Sequence, residues 1–101
     1  MATISKTLFR GAATTNTATT LYTVPSATTA VVTNIVVTNT AASLGTFTLG
    51  LGGTNLATSV PVAANDSTVI DLKQVLTATQ TITGGASATS INFHIGGVEI
   101  S

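Results

Sequence analysis

The chain is 101 residues long, with three Lys+Arg, three Asp+Glu, one His, no Cys and no formal net charge at pH 7. That length holds one hydrophobic core and no second domain. Charged residues make up 6% of the chain, against about 25% in an average soluble domain. Lys6, Arg10 and Lys73 are therefore too few for a phosphate-tracking nucleic-acid surface, and the lack of Cys excludes a disulfide framework, a thiolate metal site and a cysteine nucleophile.

Hydrophobic residues are 44% of the chain and fall in patterned runs, the opposite of the composition that leaves a chain disordered. Net charge keeps free monomers apart, and a neutral, Thr-coated surface hydrates without repelling copies of itself. The composition argues for life inside an assembly over a neutral monomer. Met1 to Arg10 contain no apolar h-region. With no Cys, the expectation is synthesis in a reducing cytosol. No run nears the roughly 18 apolar residues of a membrane-spanning helix, so no membrane partner is expected.

In chain order, residues 2–9 predict a first strand or an extended arm. Gly11 to Ala18 are small and aperiodic, and read as a linker or a loop lying on another surface. Residues 1–18 are thus an expected N-terminal arm, and 19–101 the folded domain. Residues 19–24 predict a short strand stopped by Pro25, since Pro cannot donate to a ladder. Residues 30–39, AVVTNIVVTN, are apolar on both faces and predict a central strand, with Val31, Thr33, Ile35 and Val37 on one side. Residues 45–51 alternate cleanly, with Phe47, Leu49 and Leu51 inward, and Gly52-Gly53 forms a turn. Residues 54–63 contain Pro61, which places them at an edge or a bulge. Asn65-Asp66-Ser67 is a turn and 68–72 a strand. Leu72, Val75 and Leu76 follow at helical spacing and predict one helical turn. Residues 79–83 and 89–95 predict a last hairpin around Gly84-Gly85, with Ile91, Phe93 and Ile95 inward. Gly96-Gly97 is a bulge or turn, and Val98 and Ile100 extend the strand. Seven or eight short strands at this spacing predict an all-β, single-domain sandwich or jelly roll with an extended N-terminal arm. No fixed period indicates a solenoid.

No constellation of residues carries chemistry. His94, between Phe93 and Ile95 on the polar side of its strand, reads as a surface or interface histidine. No spacing links Asp66, Asp71 or Glu99 to it as a triad would require. Asp66 caps a turn, and Asp71 with Lys73 reads as a surface ion pair of little worth. There is no acidic loop for calcium, and the Gly pairs at 52–53, 84–85 and 96–97 lead into no helix that would bind phosphate. The Asn65-Asp66-Ser67 sequon is a chance match without a secretion signal. The Thr-x-Thr patterns lack the repeated coil of an ice-binding array. The expectation is a chain that is not an enzyme and holds no metal or cofactor.

The run Leu21-Tyr22-Thr23-Val24-Pro25, followed by Ala30 to Thr40, resembles small β-rich virion proteins of tailed bacteriophages. Val75-Leu76, Thr81-Ile82-Thr83 and Gly97-Val98-Glu99 are similar too, and the resemblance covers most of the chain from about residue 20. Ser26 to Thr29 stand where many relatives carry a Gly-Lys turn. The resemblance implies a virion component made in the host cytoplasm. A capsid decoration (cement) protein is favoured over a head–tail or neck protein and over a tail- or fibre-associated, host-binding module. Its partners would be the major capsid protein or another virion protein, and its own copies, as a homo-oligomer with a trimer favoured. The expected capsid-contact arm carries Thr3, Ile4, Lys6, Leu8, Phe9 and Arg10. For a glycan-binding module, one Tyr and no Trp are few aromatics to stack on sugars.

Overall fold

Alternating Thr and Val dictate pleated strands, because side chains branched at Cβ suit that surface. The computed structural model, which describes residues 3–101, contains eight strands: β1 (Thr3–Ala12), β2 (Thr20–Thr23), β3 (Thr29–Asn39), β4 (Gly45–Leu51), β5 (Thr54–Val62), β6 (Ser67–Leu76), β7 (Thr81–Ala86) and β8 (Ile91–Ile100). They form two four-stranded antiparallel sheets in the orders β1-β8-β3-β6 and β2-β7-β4-β5. Every connection except β4–β5 crosses from one sheet to the other. This winding is that of an eight-stranded jelly roll. The exception is a tight hairpin at Gly52-Gly53, whose φ values of 59° and 84° require residues without a Cβ. The core lies between the sheets, where Val32, Ile35, Val37, Phe93 and Ile95 meet Phe47, Leu49 and Ile82.

Four expectations are corrected. First, residues 3–12 are no free arm: they pair along β8 from Thr3–Ile100 to Ala12–Asn92, because Leu8 buries itself in the core. Met1 and Ala2 lie outside the described residues. Second, the helical spacing at Leu72, Val75 and Leu76 belongs to an extended β6 with a bulge in it. Third, Gly84-Gly85 is no hairpin turn. β7 runs straight through it, β7 and β8 lie in different sheets, and the chain turns at residues 87–90. Fourth, the inward face of β3 changes phase at Thr33: Ala30 and Val32 point inward before it, and Ile35, Val37 and Asn39 after it.

That change of phase belongs to a crease across the whole first sheet. β3 inserts Thr33 opposite the Gly96-Gly97 step of β8, and β1 inserts Leu8 one step along, opposite Ile95-Gly96. β6 places Leu72 and Lys73 opposite Thr33 alone. Inserted residues bend and twist a sheet. The glycines let the neighbours close in: a Cβ on Gly97 would lie 2.3 Å from the Val31 carbonyl oxygen, and one on Gly96 2.5 Å from Asn34 Oδ1.

The β1–β2 loop lies on the outer side of the chain's own second sheet. Gly84 and Ala86 donate their N–H groups to Thr19 and Thr14 carbonyls at 2.9 Å. The Asn16–Thr17 backbone crosses Gly85, where a Cβ would sit 2.3 Å from the Asn16 carbonyl oxygen. At one end of β3, buried Asn39 donates from Nδ2 to the carbonyls of Ser43 and Val62 at 2.8 and 3.2 Å. Its Oδ1 accepts from the Ala41 N–H at 3.0 Å. One side chain thereby ties two loops together. Gly85→Ala is expected to cost about 1–3 kcal/mol by overpacking the loop. Gly11→Ala, whose Cβ meets only the Phe9 ring at 3.5 Å, should be neutral or stabilise by up to about 1 kcal/mol. Urea unfolding midpoints of the two variants check both.

Candidate functional site

The residues expected in a capsid-contact arm are divided by the strand that carries them. Leu8 is 7% exposed and belongs to the core, so it is closed to any partner. Phe9 is half-buried against that core. Thr3, Ile4, Lys6 and Arg10 remain accessible. Ile4 lies opposite Glu99 and Lys6 opposite Gly97, on the side of β1 that continues the inner face. Ile4 is nevertheless 53% exposed. Arg10 lies opposite His94 on the outer face.

At the mouth of the sandwich, Tyr22 of β2 donates its hydroxyl to Glu99 Oε2 of β8, joining the two sheets. Lys6 of β1 donates to the same carboxylate at 3.3 and 3.4 Å. Among the described residues this is the one ion pair. Asp71 and Lys73 form none, although both fall on the exposed positions of β6. The Tyr22 hydrogen bond, aided by Lys6, holds Glu99 below the usual carboxylate range against the opposing effect of burial. Burial first, then the Glu99 hydrogen bond and charge, push the Tyr22 phenol above its ordinary range. Tyr22 and Glu99 are 77 positions apart, and no sequence pattern announces such a pair.

The outer face of the first sheet is the other feature. Cross-strand register aligns Val98, Val31 and Val75 in one row and His94, Val36 and Val69 in another. Between them, along the crease, run Thr7, Gly96, Asn34 and Asp71. Val69 and Val75 are each 61% exposed. No charged side chain stands on the outward positions of the central strands β8 and β3. The charges of this face sit at its margins: Arg10 on edge strand β1, Asp71 and Lys73 on edge strand β6, and Asp66 in the turn before β6, while Lys6 and Glu99 meet on the inner side. Asp66 caps that turn, accepting the Ser67 N–H at 2.8 Å. The depression beside the bulge is open and shallow, lined by Thr33, Asp71, Leu72 and Lys73. Among the described residues no three His, Asp or Glu side chains gather where they could hold a metal ion.

No protein-family model and no curated protein matches the sequence. Among solved structures the chain is similar to the coat protein dimer of tobacco streak virus, with 15% identity over 99% of this chain and 83% of that one, at a TM-score of 0.46. It is also similar to a pentameric capsid protein isolated from metagenomic phage sequences, with 20% identity over 96% of this chain and 58% of that one, at 0.39. A third likeness is to the sugar-binding C-terminal domain of EclA, with 13% identity over 96% of this chain and 75% of that one, at 0.41.

The Tyr22–Glu99 pair gives stability a dependence on pH at both extremes. Glu99 titrates lower in the folded chain, so its contribution is complete above its ordinary value of 4.5 and is lost as pH falls below that. Tyr22 titrates higher, so its contribution is complete below its ordinary value of 10.0 and is lost as pH rises above that. Tyr22→Phe is expected to abolish the alkaline loss and reduce the acid one. Thermal unfolding of both proteins across acid, neutral and alkaline buffers checks this.

Proposed function

We propose that this chain is a structural virion protein, and in particular a capsid decoration protein that binds the assembled capsid lattice and copies of itself. The observation that carries the reading is the placement of charge. Four of the six charged residues lie on edge strands β1 and β6, and the outer face of the first sheet has no charge on its central strands, where Val31, Val36 and Val98 stand, and is charged only at its rim. An apolar centre depleted of charge inside a polar rim is how protein interfaces are built. The jelly-roll winding is an architecture shared by capsid and lectin domains, and the resemblance to phage virion proteins favours the capsid side. A sugar-binding role finds little support. Phe47 and Phe93 are buried, Phe9 is half-buried, and Tyr22 is committed to Glu99.

For the capsid contact, the proposal keeps the accessible part of the expected residues. Thr3, Ile4, Lys6 and Arg10 are exposed along β1, and Ile4 at the mouth of the sandwich offers an apolar anchor. Strand addition along β1 is the weaker mode, because the Leu8 bulge and two cations blunt that edge. Purified protein added to particles stripped of it should rebind the head and raise its resistance to heat, and Ile4→Asp should weaken that rebinding about tenfold. Label confined to the neck or tail would contradict the decoration role, and failure to bind any particle would contradict the virion role.

A further inference from the structure

Of the two outer faces, that of the second sheet is crossed by residues 14–17. Among the described residues, none crosses the face of the first sheet in this way. Its four strands span about 19 Å at roughly 4.8 Å apart, and ten residues of strand run about 33 Å. That is about 600 Å² on one copy, or about 1,200 Å² for two faces pressed together, the lower end of what a specific interface buries. Its rim carries Arg10 on one margin and, on the other, Asp71 with Lys73 two residues along. Arg10 on β1 lies in the row of His94, Val36 and Val69, and Asp71 on β6 lies in the next row of the same face. Neither has an ion-pair partner among the described residues. A two-fold rotation about an axis along the strands, between β8 and β3, lays each β1 over the other copy's β6. It also lays each valine row over its counterpart.

We propose that the outer face of the β1-β8-β3-β6 sheet docks on the same face of a second copy, burying the Val98–Val31–Val75 and Val36–Val69 rows and bringing Arg10 of each copy to Asp71 of the other. A face matched to itself is isologous and closes with two copies, in place of the three-fold arrangement expected from the sequence. Edge-to-edge pairing is disfavoured at every margin. β1 and β6 carry bulges and charges, β5 carries Pro61 and bulges, and β2 is four residues long with a register shift. The self-docking deepens the self-association half of the proposed function, and its test uses no particles, so the two fail separately.

Sedimentation velocity of the full chain from low to high micromolar concentration should show a reversible dimer. Val69→Lys with Val75→Lys, both at exposed positions, should leave a monomer with unchanged circular dichroism. Arg10→Asp alone and Asp71→Arg alone should each weaken the dimer about tenfold by setting like charges against each other. The double reversal should restore it. A chain that stays monomeric overturns the proposal, as does an oligomer indifferent to the valine substitutions or a double reversal no better than the singles. A monomer that still binds stripped particles would remove this face-to-face dimer and leave the virion role standing.

Discussion

The rings of Phe47 on β4 and Phe93 on β8 meet edge to face between the sheets, with centroids 6.2 Å apart and planes at 73°. Such a contact adds about 0.5–1.5 kcal/mol to the burial of both rings. It joins inner strands of both sheets, and the rest of the fold follows from keeping that layer dry. Each strand must turn an apolar side inward, and connections must cross between the sheets to close the layer. Where closure would crowd the backbone, glycine stands: at Gly85 beneath the β1–β2 loop, at Gly84 against Leu49 and the Thr48 carbonyl, and at Gly96 and Gly97 along the crease. The polar groups drawn into the layer are joined to partners, with Asn39 bonded to loop carbonyls and Glu99 held by Tyr22 and Lys6.

A chain with so little charge still has to keep its sheet edges from pairing at random. It concentrates charge where unpaired backbone is exposed, on β1 and β6, and bends those edges with bulges. Pro61 and register shifts do the same for β5. The consequence is a surface whose adhesive part is a face rather than an edge. Crease and charge placement thus act together: one interrupts strand pairing, and the other leaves valines as the outward groups best able to bury apolar area.

Local alternation made much of this legible. GTFTLGL gave the bounds of β4 because nothing interrupts its period of two, and Gly52-Gly53 announced its hairpin. Pro61 marked β5 as an edge. What escaped was set by neighbours distant in sequence. A double glycine signals close backbone approach as readily as a turn, so Gly84-Gly85 read as a hairpin until the Asn16–Thr17 backbone was seen across it. The spacing of Leu72, Val75 and Leu76 fits a helix and a bulged strand equally well. Thr33 reverses the inward face of β3 because strands β1, β8 and β6 bend with it, a cause no window within 30–39 contains. Within the expected contact residues, composition could not separate Leu8, which the core takes, from Ile4, which it leaves exposed.

The central claim is that the uncharged outer face of the first sheet is a binding surface, with the charged edge strands as its rim. A density map of the intact virion, resolved well enough to trace strands, tests it most directly. The account predicts the sandwich on the head, with Val31, Val36, Val69 and Val98 covered and the edges of β1 and β6 at the margin of the contact. A map in which those valines face solvent while β1 or β6 continues a neighbouring sheet would contradict it.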